Sequence, residues 1–249
     1  MTSAVDFDVN GKQLLKRRAD IISKCYSKLS DQYPEMIQNL VTLMGQSGPT
    51  PDAEVKRKTF ALYNFEILAE YHLSQELIVQ NSNDFLQLFA GALEDNSVEV
   101  KVAALKAITS FLSSIDDTDV VLKYKSLTDK LLAVVIDVLK QDEERGRASL
   151  EVMIELTQTH GDLWEGQTSQ LINVVSQIMK NRDFDDETRS SALEIVVTLS
   201  ESMATLLRKN PADLKAQFVP ALAFMMTEVE MADDLEGWLQ EQELDVQAK

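Results

Sequence analysis

The stretch VEVKVAALKAITSFLSSI, Val98 to Ile115, decides the fold. Leu105 is followed at +3 by Ile108 and at +6 by Phe111, with no proline or glycine between, which is the spacing of an amphipathic helix. The pattern recurs along the sequence. Phe60, Leu105, Leu150 and Leu193 stand 45, 45 and 43 residues apart. Each is followed at +3 by Tyr63, Ile108, Met153 or Val196, and at +6 by Glu66, Phe111, Leu156 or Leu199; Glu66 breaks the pattern, with Ile67 beside it. Three of these segments share their start: Ala104-Leu105-Lys106, Ser149-Leu150-Glu151 and Ala192-Leu193-Glu194.

A second series interleaves with the first. Apolar residues at +3, +4 and +7 follow Ile37 (Leu40, Val41, Met44), Leu86 (Phe89, Ala90, Leu93) and Leu132 (Val135, Ile136, Leu139). Weaker copies are Ile172-Val175-Ser176-Met179 and Phe218-Ala221-Leu222-Met225, at steps of 49, 46, 40 and 46 residues. A unit of two helices in this length is the HEAT/armadillo period. Each pair exposes an apolar face that only a neighbouring pair can cover, so the pairs stack into one continuous core. The expected fold is an all-α, right-handed HEAT-repeat solenoid over residues 1–230. It comprises a leading helix from about Gln13 to Leu29, four helix pairs, and a fifth first-helix ending near Val229. Residues 231–249 read as a flexible acidic tail. A compact helical bundle is disfavoured by the regular period.

Composition agrees. The 249 residues hold 8 glycines and 5 prolines, too few for the turns of a β-sandwich or barrel. Most are expected at joints between helices, the clearest being Gly45 to Pro51, where Thr50 is placed to cap a helix beginning at Pro51. Asp95, Asp142 and Asp186 precede or open later helices as caps or dipole partners. With 24 Lys+Arg against 41 Asp+Glu the formal charge is −17, which excludes nucleic acid as the main ligand and favours basic partners. One cysteine, Cys25, allows no intramolecular disulfide. The N-terminus lacks a basic, apolar leader, and the uncharged run Ala216–Thr227 is too short to span a bilayer. A soluble, intracellular protein without membrane insertion is expected.

Catalysis finds no footing. No phosphate-binding glycine loop, nucleophile elbow or clustered metal-ligand set is present. His72 and His160 fall near the ends of two second helices, where a cation suits the dipole. No enzyme activity, cofactor or metal is expected.

Two acidic features are candidates for binding basic segments. In the tail, Glu228, Glu230, Asp233, Asp234, Glu236, Glu241, Glu243 and Asp245 face one base, Lys249, and Trp238 can add a cation–π contact. On the second helices, Glu151 and Glu155 are one turn apart, and Glu194 and Glu201 two turns apart, each pair on one face. Second helices line the inner surface of a solenoid, so these four acids are placed to meet a ligand there. The basic start (Lys12, Lys16, Arg17, Arg18, Lys24, Lys28) reads as the solvated side of the leading helix, with Leu14, Leu15, Ile21 and Ile22 as its apolar side. Met153, Met179, Met225 and Phe89 read as core, and a groove between adjacent first helices is a place for a phenylalanine.

The segment Val98 to Ile115 resembles the HEAT repeats of the importin-β (karyopherin-β) family. So do Glu155 to His160, Ser191 to Glu201 and Leu206 to Asn210, with most similarity to the importin-five, or karyopherin-β-three, branch. The tail from Met225 to Trp238 resembles the start of that branch's acidic mid-chain loop. The resemblance implies an internal segment of a nuclear transport receptor. Its partners would be cargo with Lys/Arg-rich import signals, Ran-GTP and Phe-Gly nucleoporins, in the cytoplasm, the nucleus and at the nuclear pore. The alternatives are a scaffold of phosphatase-scaffold type and a truncated fragment with no activity of its own.

Overall fold

The computed structural model describes residues 4–29, 36–46, 50–71, 73, 75–115 and 117–227; among them there are helices and turns and no strand. The leading helix α1, Ala4–Leu29, begins earlier than the sequence suggests. Four helix pairs follow. The first is α2 (Met36–Gly45) with α3 (Pro51–Tyr71). In the second, the first helix is broken into α4 (Gln75–Gln80) and α5 (Ser82–Leu93), and pairs with α6 (Val98–Ser113). The third has α7 (Thr118–Lys123), a 3₁₀ turn Tyr124–Leu127, α8 (Thr128–Gln141) and then α9 (Glu143–Thr159). The fourth has a 3₁₀ turn Gly161–Trp164, α10 (Thr168–Lys180) and α11 (Asp186–Ser202).

A fifth first-helix follows the short α12 (Ala204–Lys209). It runs as α13 (Pro211–Asp213), a π turn Leu214–Phe218 and α14 (Val219–Met226). Pro220 has no N–H to give to the carbonyl four residues back, and the wider turn beside it, with Val219 N–H bonding to the Leu214 carbonyl, absorbs that loss.

The joints follow local chemistry. Thr50 accepts the Ala53 N–H at 3.2 Å as cap of α3, and Asp142 accepts the Arg145 N–H at 3.0 Å as cap of α9. Asp95 instead closes a turn, accepting the Ser97 N–H at 2.9 Å, and Asp186 lies inside the first turn of α11. Gly166, with φ near 90°, takes the left-handed turn between the 3₁₀ segment and α10. Gly91 and Gly146 lie within helices rather than at joints.

Second helices α3, α6, α9 and α11 pack on one another along their length, with α1 against α3, whereas the first helices α5, α8 and α10 diverge. Such a stack curves toward its second helices, which therefore form the inner face. The core is continuous from Ile37 to Ala221. It contains a run of edge-to-face and tilted rings, Phe65, Phe85, Phe89, Phe111 and Tyr124, and the fully buried Trp164, Met153 and Met179. Tyr124 donates its hydroxyl to the Ser82 carbonyl at 3.0 Å, and burial raises its pKa.

Burial corrects the register of the first pair. Ala61, Leu62, Phe65 and Leu68 are among the buried positions of α3 and match Ala104, Leu105, Ile108 and Phe111 of α6. The second-helix series is thus Leu62, Leu105, Leu150, Leu193. Phe60 is half-buried, and Glu66 does not occupy a core position. On α1, Ala19 and Ser23 are buried and Leu15 and Ile22 half-buried, but Leu14 and Ile21 are 50% and 60% exposed, so only half of the expected apolar side meets the core.

Ion pairs stitch the repeats near the starts of the second helices. Lys58 of α3 reaches Asp95 at 2.7 Å, Arg145 of α9 reaches Glu99 of α6 at 2.5 Å, Lys101 pairs with Asp137, and Arg147 with Glu187. Burial pushes the Glu99 carboxyl up, but the Arg145 guanidinium and local hydrogen bonds outweigh it and hold the group below its ordinary value.

Candidate functional site: the inner face

With the register corrected, one inner position can be followed through four second helices. It reads Tyr63, Lys106, Glu151, Glu194. One turn on, it reads Ile67, Ser110, Glu155, Thr198, and almost a turn further Glu70, Ser113, Gln158, Glu201. The face changes character between α6 and α9, from an aromatic and a cation to carboxylates.

Glu151, Glu155, Glu194 and Glu201 are all exposed, and none of their carboxylates has a hydrogen-bond or ionic partner among the described residues. Glu151 and Glu155 share a face of α9, and Glu194 stands at the matching position of the adjacent α11, with packed helix axes about 8–10 Å apart. Glu201 lies two turns further along α11, so it extends the row rather than joining the group. Acids in the inter-repeat clamps, such as Glu99 and Asp95, are by contrast engaged. Unpaired carboxylates facing one way create a negative potential that attracts ammonium and guanidinium groups.

The other half of the face carries a constellation that sequence reasoning missed. Lys16 of α1 sits 5.4 Å from the ring centre of Tyr63, within cation–π range. Glu66 is half-buried beside it. Burial pushes its carboxyl above the ordinary value, Lys106 and Lys16 oppose that rise, and Glu70 and Glu155 add to it. The departure of Glu66 from the repeat was the only sequence signal.

Of the remaining candidates, Glu228, Glu230, Asp233, Asp234, Glu236, Trp238, Glu243 and Asp245 lie outside the described residues, as does His72. His160 is half-buried at the end of α9, where its Nε2 lies 2.8 Å from the Leu112 carbonyl and bonds to it. No group of three or more His, Cys, Asp or Glu among the described residues is arranged to hold a metal ion, and no described helix is long and apolar enough to cross a membrane. On the outer face, a groove of about 560 Å³ between α2 and α5 is walled by Ile37, Val41, Met44, Phe85 and Leu88.

The molecule is thus an all-α HEAT-repeat solenoid with a half-acidic inner face. A family model described as "IPO5-like, TPR repeats" matches residues 10–174, and one described as "Importin repeat" matches residues 181–248. The protein belongs to the importin-5-like family of importin-β proteins. The 43–45 residue step of its second helices exceeds the TPR length of about 34 and is that of HEAT pairs. Importin subunit beta-3 of Saccharomyces cerevisiae is 24% identical over 229 residues, 91% of this chain and 20% of the relative. A probable importin-5 homolog of Dictyostelium discoideum is 20% identical over 179 residues, 72% of this chain and 16% of the relative. The sequence therefore spans about a fifth of the length of these relatives. Among solved structures, the karyopherin Kap121p bound to the SUMO protease Ulp1p is similar with a TM-score of 0.67 and 24% identity, over 82% of this chain and 19% of that one. Kap121p bound to Pho4p gives 0.66 and 25% over the same shares. Kap121p bound to RanGTP gives 0.63 and 23%, over 79% and 18%.

Proposed function

We propose that the protein works as a segment of a nuclear transport receptor, binding rather than catalysing, and that its inner face over α9 and α11 receives Lys/Arg-rich import signals of cargo. The observation that carries this is the contrast among its acids. Those between repeats are spent on ion pairs, while Glu151, Glu155, Glu194 and Glu201 face outward without partners. An extended basic segment advances about 3.3 Å per residue, so cations three residues apart span the gap from α9 to α11.

The acidic tail, with Trp238, is a second place for the same basic ligands. The outer groove between α2 and α5 suits a nucleoporin phenylalanine, since Ile37, Val41, Met44, Phe85 and Leu88 line it beside polar residues such as Gln38, Asn81 and Asp84. Ran-GTP completes the partner set, and shuttling between cytoplasm and nucleus through the pore is the corresponding location. Support comes from family membership and from Kap121p, which has been solved with Ran-GTP, Nup53p and several other proteins.

The test is fluorescence anisotropy of a Lys-rich peptide with the 249-residue protein at low and moderate salt, alongside pull-down of Ran-GTP. Binding that weakens with salt and drops at least tenfold in Glu151→Lys/Glu194→Lys supports the inner face. Absence of both ligands at both salts refutes transport activity for this segment.

A further inference from the structure

The groove between α2 and α5 has a counterpart between α10 and the last helix, of about 610 Å³, whose lining side chains are all polar or charged. Its α10 wall is Asn173, Ser176, Gln177 and Lys180, and its far wall is Asp213 and Gln217. Ser176 is the odd member of the first-helix repeat. The matching places hold Val41, Ala90, Ile136 and Leu222. Ser176 is 3% exposed and its hydroxyl has no hydrogen-bond partner, not even the carbonyl one turn back that helical serines commonly use. A buried hydroxyl left unpaired is costly, and although Ser23, Thr109 and Thr188 share that state, Ser176 alone among these lines the groove.

The rest of the groove is arranged around it. Gln177 Nε2 donates to Asn173 Oδ1 at 3.1 Å, which leaves the Asn173 amide N–H groups and the Gln177 carbonyl as a donor and an acceptor one turn apart. Ser169 donates to Asp213 at 2.6 Å and Gln217 donates to Asp213 at 3.3 Å, tying the walls together at one end. At the other end Lys180 has no ionic partner among the described residues.

We propose that this groove binds an extended peptide segment by its backbone, with a carboxylate of that segment on Lys180. Rungs four residues apart on a helix rise about 6 Å, and alternate residues of an extended strand about 6.6 Å, so every second peptide unit meets Asn173 or Gln177 in step. Backbone carbonyl and N–H groups match the free amide donor and acceptor, and a further backbone group meets the Ser176 hydroxyl once that side chain turns from its buried rotamer toward the groove. A single lysine in a groove whose other end holds Asp213 does not suit nucleic acid, and walls with no aromatic or branched aliphatic side chain do not suit a phenylalanine anchor. This site is independent of the inner face.

The experiment is an NMR titration of the 249-residue protein, read at the Asn and Gln amide groups, with three peptides: acetyl-GSGSGG-amide, acetyl-GSGSGD-amide and acetyl-GSGSGG with a free carboxyl terminus. Shifts at Asn173 and Gln177, stronger with either acidic peptide, are expected, and the stronger of the two tells an aspartate carboxylate from a terminal one. Asn173→Ala/Gln177→Ala weakens binding at least tenfold. Ser176→Ala also weakens binding while raising the melting temperature, because it removes the orphan hydroxyl where Ala90 already serves in another repeat. Lys180→Gln abolishes the preference for acidic peptides. No shift at millimolar peptide, or affinity unchanged in the first two variants, overturns the proposal; equal binding of all three peptides by the unaltered protein overturns the role of Lys180.

Discussion

His160 at the end of α9 donates from Nε2 to the Leu112 carbonyl at the end of α6, 2.8 Å away, so that the last turn of one second helix is closed by the next repeat. Ser202 makes a weaker version of this contact one pair later, its single hydroxyl proton shared between the Thr198 carbonyl of its own helix at 2.9 Å and the Thr157 carbonyl at 3.2 Å. Terminal carbonyls of a helix lack partners within it, and the Leu112 carbonyl, which accepts the Ile115 N–H at 3.1 Å, gains a second donor from the next repeat. His160→Ala therefore loses about 1 kcal/mol, the net value of one hydrogen bond, and lowers the melting temperature by about 2–4 °C. Differential scanning calorimetry checks this; an unchanged melting temperature means the bond contributes nothing to stacking.

Two helical glycines have opposite expected outcomes. A Cβ on Gly146 would lie 2.7 Å from the Leu139 Cα, a backbone atom of α8 that cannot swing aside, whereas one on Gly91 meets nothing within 4 Å. Gly146→Ala forces α8 and α9 apart at a cost of about 1–3 kcal/mol, and Gly91→Ala gains about 0.5–1 kcal/mol from helix propensity. Urea denaturation of both variants, read at the transition midpoint, separates them; equal shifts in one direction contradict the packing account.

How far these features were legible in the sequence depends on how each helix is surrounded. α6 has a readable stripe, and Leu105, Ile108 and Phe111 fell into place. α3 is flanked by α1, α2 and α6, so apolar residues run around it (Phe60, Leu62, Tyr63, Phe65, Ile67, Leu68), and no single stripe fixes its register. That is why Phe60 stood in for Leu62 and Glu66 looked like an error in the core. The breaks that separate α4 from α5 and α7 from α8 leave no glycine or proline signal. The positions of Glu151, Glu155, Glu194 and Glu201 were readable from spacing, but their lack of partners depends on which neighbouring cations were taken by other acids, which spacing does not report.

Glu66 and Glu99 give pH dependences of opposite sign. Burial raises the Glu66 carboxyl, so its ionised form works against folding above its folded pKa, and that penalty is relieved as pH falls below the ordinary glutamate range near about 4.3. Glu99 is held low, so its contribution to stability is present above that range and lost as pH falls through its folded pKa. Glu66→Gln should melt higher than the unaltered protein at pH 7 and Glu99→Gln lower, and both differences should shrink toward about pH 3–4. Lys106, Lys16, Glu70 and Glu155 face Glu66 and remain in place in this comparison. Melting curves at four or five pH values decide it, and a Glu66→Gln difference independent of pH rules the burial account out.

Lys106 offers a gain-of-function test of the inner face. It occupies in α6 the position that Glu151 holds in α9 and Glu194 in α11, so a basic segment lying on those carboxylates has an opposing cation at its edge. At about 8–10 Å, two like charges in water repel by about 0.4–0.5 kcal/mol, and more where the helices exclude solvent. Lys106→Gln should therefore tighten a Lys-rich peptide by about two- to fivefold at low ionic strength. The gain should fade toward about 0.15 M salt and beyond, as the screening length drops to about 8 Å. The substitution also leaves Glu66 less compensated, so Lys106→Gln/Glu66→Gln is measured beside it to separate relief of repulsion from a freed carboxylate. Peptide affinity measured at three salt concentrations for the unaltered protein and this variant is the check. Equal affinities at low salt would move the basic ligand off the α9–α11 face.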